Sequence, residues 1–205
     1  ADTPVRIRQG DVTQAQVILP FNSLHDSWAI HLAALRDNEK EVWTAEGLTP
    51  FVDSRDDILG LALTYNSASR FPKSVSRSEG REVRVIHEDS DAIGNSDYSG
   101  QVVVGDWREY IHLGSQHVLA LRYVEGRGNN NPRPFRLGGI QGATNPFIYL
   151  IGTPGDPLFN HRDYTLRGYD EGLAQLSGRR MRLASAEYRF PMALIERGWM
   201  VPPLG

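Results

Sequence analysis

Apolar residues in this chain recur at every second position, over runs longer than most strands of water-soluble proteins. In "QAQVILPF" (14–21), Ala15, Val17, Leu19 and Phe21 share one face, and Gln14, Gln16 and Ile18 share the other. Successive strand side chains point to opposite faces, so this period predicts a strand with one apolar side. After "NSLHDS" the alternation resumes in "WAIHLAALRD", with Trp28, Ile30, Leu32 and Ala34 on one face, which reads as a hairpin. "DDILGLALTYNSAS" (56–69) sets Leu59, Leu61, Leu63 and Tyr65 against Gly60, Ala62, Thr64 and Asn66. "GREVRVIHE" (80–88) is less regular. The runs 101–113 and 116–126 form a second hairpin around "GS", and 179–192 is the last clear strand, with Leu183, Ser185, Glu187 and Arg189 on its more polar face. Seven antiparallel strands are the expectation.

Strand length narrows the choice. A tilted strand needs about 9–11 residues to cross a bilayer, whereas strands of globular proteins centre on about 5–6. Long strands with one apolar row, one small or polar row and aromatic residues near their ends fit an outer-membrane barrel. Periodicity alone admits a soluble sandwich or barrel equally well. The mean hydropathy of -0.40 suits either class. No apolar run approaches the roughly 18 residues of a membrane helix. The start, "ADTPVRIRQGD", lacks a charged-then-apolar signal pattern, so any targeting peptide is expected to be absent or already removed. With no cysteine, disulfide scaffolds, thiolate metal sites and cysteine nucleophiles are excluded. A net charge of -3 and scattered basic residues argue against nucleic acid as a partner.

Motifs for chemistry are sparse. "VDSRDD" (52–57) clusters carboxylates without the spacing of a calcium loop and reads as a solvated turn before a strand. Histidines 25, 31, 87, 112, 117 and 161 show no metal-binding spacing. "NHRDY" (160–164) contains the His-Arg-Asp of a kinase catalytic loop, but a phosphate loop and Asp-Phe-Gly are missing, so the match reads as coincidence. No enzyme activity, metal or cofactor is expected. Residues 126–177 form a long loop region rich in Gly, Asn and Pro, a length that in a compact domain is usually functional or disordered. It carries "LRGYDEG" (166–172), and "SAEYRFPM" (185–192) follows. Spacing alone favours Arg167 in solvent and Glu187 on a polar strand face. The alternative is a buried Arg167–Glu187 pair, in which leaving either charge alone would cost several kcal/mol and the guanidinium fork suits a carboxylate. Gly168 would then permit a tight turn and Tyr169 would pack the loop tip.

The order of "RPFRLGG" (133–139), "LRGYDEG", "GRRMRLASAEYRFPM" (178–192) and "IERG" (195–198), with "LGLALTYNSASRFPKSVSRSEGREVRVIHE" (59–88) upstream, resembles the bacterial surface antigen family. That family is the barrel domain of outer-membrane protein assembly factors and their two-partner secretion relatives. The resemblance covers about residues 55–198 and implies an all-β fold, an antiparallel transmembrane barrel of about sixteen strands. Residues 1–205 would form part of one such barrel, with the C-terminal strands of the family barrel, and their aromatic-x-Asp partner motif, outside this chain. The resemblance further implies a loop folded into the lumen, where Arg167, with Gly168 and Tyr169, is latched to Glu187, and where Gly138 and Gly139 let the chain leave the preceding strand. Residues 140–165 lengthen that loop beyond the compact family form. The expected role is to assist insertion or translocation of proteins at the outer membrane. The partners would be outer-membrane lipids, client or secreted polypeptides, and periplasmic modules of the same parent chain. A passive pore or structural barrel is the alternative, and a soluble all-β binding module a third reading.

Overall fold

The computed structural model describes residues 6–44, 53–70, 76–114, 117–138, 158–166, 168–169 and 174–190. Seven long strands form one antiparallel sheet: β1 (Arg6–Asn22), β2 (Ser27–Thr44), β3 (Asp53–Asn66), β4 (Gly80–Asp89), β5 (Gln101–Gly114), β6 (His117–Gly128) and β10 (Arg180–Arg189). They pair in the order β1-β2-β3-β4-β5-β6-β10, and the sheet is not closed. Between β6 and β10 a smaller sheet is built from β7 (Phe135–Leu137), β8 (Asp163–Tyr164) and β9 (Ser177–Gly178), in the order β8-β7-β9. Among the described residues there is no α-helix.

The seven strands lie where the two-residue period places them, but β1 and β2 run further than the apolar alternation does. They remain paired through Gly10↔Glu39 and Arg8↔Glu41, where the sequence is polar. Backbone hydrogen bonds carry the ladder without needing apolar side chains. "VDSRDD" is not a solvated turn. Residues 53–57 begin β3, with Asp56 and Asp57 almost wholly buried. The connection 90–100 folds across this end: Ser90 and Ser96 hydroxyls donate to Asp56 Oδ1 at 3.1 Å each, and Arg55 N–H donates to Asp97 Oδ2 at 2.7 Å. Within 126–177 the described residues are not all loop: β6 continues to Gly128, and β7, β8 and the start of β9 fall there.

The two faces of the large sheet differ. One is covered. Ala33, Leu35, Ile58, Ala62, Ile86, Val104 and Val124 are buried there beneath Phe135, Phe159 and Tyr164 from the β6–β10 connection. The other face is open, and its apolar rows stay exposed: Leu61 is 50% exposed, Trp28 45% and Val17 59%. These rows form a continuous band that slants across the strands. Toward the end bearing the 45–52, 90–100 and 129–179 connections, the band stops on β1–β3 at Thr13, Arg36 and Asp57, which are mutually in register. On β4 and β5 it stops at the paired Asp89 and Gln101, in the row of Leu59. On β6 and β10 it stops at the paired Glu125 and Arg182, in the row of Leu63. The edge therefore climbs about six residues, or about 20 Å, over about 19 Å of sheet from β3 or about 29 Å from β1, a slant of about 35–45°.

The packing of the covered face is tested at Ile58, which has no exposed surface. Ile58→Ala is expected to destabilise the protein by about 2–5 kcal/mol in denaturant unfolding. Leu35→Met, which keeps the side-chain volume, should cost less than about 1.5 kcal/mol.

Candidate functional site: a charged lock on the covered face

Two arms of the β6–β10 connection, 129–138 and 158–166, lie against β2–β6 and are held by ion pairs that run from one arm to the other. Arg133 donates through Nη1 to Asp37 Oδ2 and through Nη2 to Glu39 Oε1, each at 2.6 Å. Asn160 Nδ2 donates to the same Asp37 oxygen at 2.8 Å, and the Asn160 backbone N–H donates to Glu88 Oε1 at 2.6 Å. The other Glu88 oxygen accepts from Arg162 Nη2, and both of these side chains are at least 96% buried. Glu39, Arg133, Asp37, Asn160, Glu88 and Arg162 thus form one chain of charge-assisted bonds across β2, β4 and both arms. Burial works against the charge on Arg133, but Glu39 and Asp37 outweigh it and hold its pKa above the ordinary guanidinium value. Burial also pushes the Tyr164 hydroxyl up.

Rings complete the contact. Arg162 stacks over Phe135, with Cζ 5.4 Å from the ring centroid. Phe135 lies over Gly126 and Phe159 over Gly60. A Cβ on Gly60 would fall 2.4 Å from Phe159 Cδ1, and one on Gly126 would fall 2.5 Å from Phe135 Cζ. No real side chain tolerates such separations, so each glycine is a notch cut to receive a ring. The arms are joined to each other by parallel β7–β8 pairing, Arg136↔Asp163 and Leu137↔Tyr164. Beside Tyr164, Asp106 accepts bidentate bonds from Arg122 at 2.9 and 3.1 Å and further bonds from Arg108.

The site residues predicted from the sequence fall around this lock. Gly138 ends β7 with a φ of 136° and donates its N–H to the Tyr164 carbonyl at 3.0 Å; Gly139 and Arg167 lie outside the described residues. Gly168 has a φ of 88°, in the left-handed region that favours glycine, and Tyr169 N–H returns to the Leu166 carbonyl at 3.4 Å, closing a turn. Tyr169 is exposed. Glu187 accepts from Arg189 at 2.8 Å on the covered side of β10. Thr165 and Leu166, just before the Arg-Gly-Tyr turn, line one cavity of about 430 Å³ together with Glu187, Arg122 and Arg189. Neither Gly168 nor Tyr169 lines that cavity. Among the described residues the arginines that hold the loop are Arg133 and Arg162, and sequence reading assigned neither. Arg133 stood within "RPFRLGG", while Arg162 was dismissed with its His-Arg-Asp triplet. Comparison with protein-family models, with curated proteins and with solved structures returned no match.

Because Glu88 and Arg162 are buried together, Arg162→Ala should cost about 3–5 kcal/mol and expose the 129–166 segment to limited proteolysis, whereas the double change Arg162→Met with Glu88→Leu should be close to neutral. The glycine notches give a second test. Adding a side chain in a strand normally helps, but Gly60→Val should destabilise, and combining it with Phe159→Ala should recover about 0.5–3 kcal/mol relative to the sum of the single changes, as measured by a double-mutant unfolding cycle.

Proposed function

We propose that this chain forms part of the wall and the lumenal loop of an outer-membrane β-barrel of the surface antigen type, which assists insertion or translocation of polypeptides at the bacterial outer membrane. The observation that carries this reading is the slanted apolar band on the open face. Its slant of about 35–45° matches the strand tilt typical of closed barrels. In a soluble sandwich a second sheet would cover such a face. Here the polar arms cover the opposite one.

Other features fit. At one end the connections 23–26 and 115–116 are short and 67–79 is longer; the longest connection, 129–179, lies at the other end. Most charges sit on the covered face or at the band edges; Glu109, paired with Arg81, lies between Trp107 and Ile111 on the open face. The free edges of β1 and β10 must meet further strands if this sheet lies in lipid, because unpaired backbone groups there cost several kcal/mol each. Such edges also offer a client strand main-chain hydrogen bonds, the physical basis for assisted insertion. In this reading Arg167, Gly168 and Tyr169 form the lumenal turn and Glu187 is its wall partner, a view supported by the cavity that Leu166 and Glu187 share.

A passive barrel is the second reading, and the lock favours it: a loop fixed by two glycine notches and a six-residue polar chain suits a closed lumen. Crosslinking of clients to the intact protein separates the two, since a passive barrel captures none. Within the first reading, Arg167→Glu should impair assembly of outer-membrane proteins and adding Glu187→Arg should restore it. The membrane itself is tested at Leu61. Leu61→Arg in the middle of the band should cost about 2–4 kcal/mol, read as loss of the compact, heat-modifiable form on gels and in unfolding from vesicles. An unchanged stability would put this face in water.

A further inference from the structure

We propose that the open face carries a specific glycerophospholipid site between β2, β3 and β4, with one acyl chain lying in an apolar concavity and the phosphate held by Arg81; the inference rests on the membrane reading. The concavity has a volume of about 380 Å³ and is lined by Trp28, Leu63, Tyr65, Val83, Val85 and Arg81. The rings of Trp28 and Tyr65 meet at 4.4 Å between centroids and 49° between planes, forming a rigid wall rather than a flat surface. Leu63 and Val85 remain 43% and 48% exposed, so the protein itself leaves this groove unfilled.

Arg81 gives the groove polarity. It stands two residues beyond Val83 along β4, past the apolar stretch of that strand, toward the end bearing the 23–26, 67–79 and 115–116 connections. Its guanidinium is 55% exposed and its Nη2 donates to Glu109 Oε1 at 3.2 Å. One such bond leaves donors of the five-donor fork for another acceptor. Glu109 therefore acts as a positioning residue: it fixes the guanidinium at the rim without consuming it. Phosphate suits that fork because its oxygens accept paired N–H bonds. Trp28 and Tyr65 are the ring types that settle where hydrocarbon meets headgroups, so the phosphate level and the cation coincide. An apolar groove with a cation at the headgroup level is the complement of a lipid with a phosphate above its chain.

The test uses the intact protein, purified in mild detergent, stripped of lipid and titrated with dioleoyl phosphatidylethanolamine and dioleoyl phosphatidylglycerol by native mass spectrometry. One lipid should bind at low concentration ahead of the remainder. Arg81→Gln should weaken that first binding about ten-fold, and Trp28→Ala should weaken it comparably. Arg81→Lys should retain part of it, and Glu109→Gln should give a smaller loss. Arg127→Gln, at the far end of the band, should leave it unchanged. Flotation with vesicles is scored alongside for every variant. If all variants float and bind the first lipid equally, the site is overturned while the membrane reading stands. If the unaltered protein fails to float, the membrane reading fails and the site with it.

Discussion

The pairing of Arg162 with Glu88 is the constraint around which the covered face is arranged. Two opposite charges are removed from water on a sheet that also buries Asp37, Asp56 and Asp106 among its aliphatic side chains, and each is tolerable only while the other is present. Its neighbours satisfy Glu88, while Arg162 Nε is buried without a hydrogen-bond partner among the described residues. Asn160 gives its backbone N–H to the remaining Glu88 oxygen and its side chain to Asp37, which in turn engages Arg133. Phe135 lies flat under the Arg162 guanidinium and is itself admitted only because position 126 has no side chain. Charge, ring and glycine are consequently one unit.

The sheet was legible from sequence and the lock was not. Seven strands could be read because alternation is local: Leu59, Leu61, Leu63 and Tyr65 declare their face with no knowledge of the rest of the chain. The lock depends on what arrives from far away. Gly60 reads as one more small residue in a polar row until Phe159 is seen above it. Asp56 and Asp57 read as solvated because nothing near them in sequence tells that 90–100 folds over them. Arg162 sits in a triplet with a kinase association that its surroundings do not support, and discarding the triplet discarded the arginine. Of the Arg-Gly-Tyr motif, Gly168 and Tyr169 are described and Arg167 lies outside the described residues. Its glycine has the backbone angle such a turn requires, and its neighbour Leu166 reaches the cavity that Glu187 lines.

The two faces divide the work of the sheet. On the open face aliphatic and aromatic side chains predominate, with Glu109 set between Trp107 and Ile111 and the other charges toward the margins, and no element among those described lies on the apolar rows. On the covered face, aliphatic residues give way to rows of acids and arginines wherever the loop arms arrive. A solvent that tolerates the first face need not tolerate the second. Proposing lipid for one and a sealed, partly wet interior for the other uses a single sheet to separate two environments, which is what a barrel wall does.

The bonds of the lock join residues that are remote along the chain: Arg133 is 96 positions from Asp37, and Asn160 is 123. The strands between them pair with their immediate neighbours in sequence and can zip together locally. Closing a loop of a hundred residues for one ion pair is entropically dear unless intervening pairing has already shortened the path. Seating of the loop is thereby a late event in the history of each molecule, contingent on β2 through β6 being in register. Until then Asp37 and Glu88 stand bare on the sheet, and a chain halted at that stage would differ from a finished one by the negative charge it displays inside.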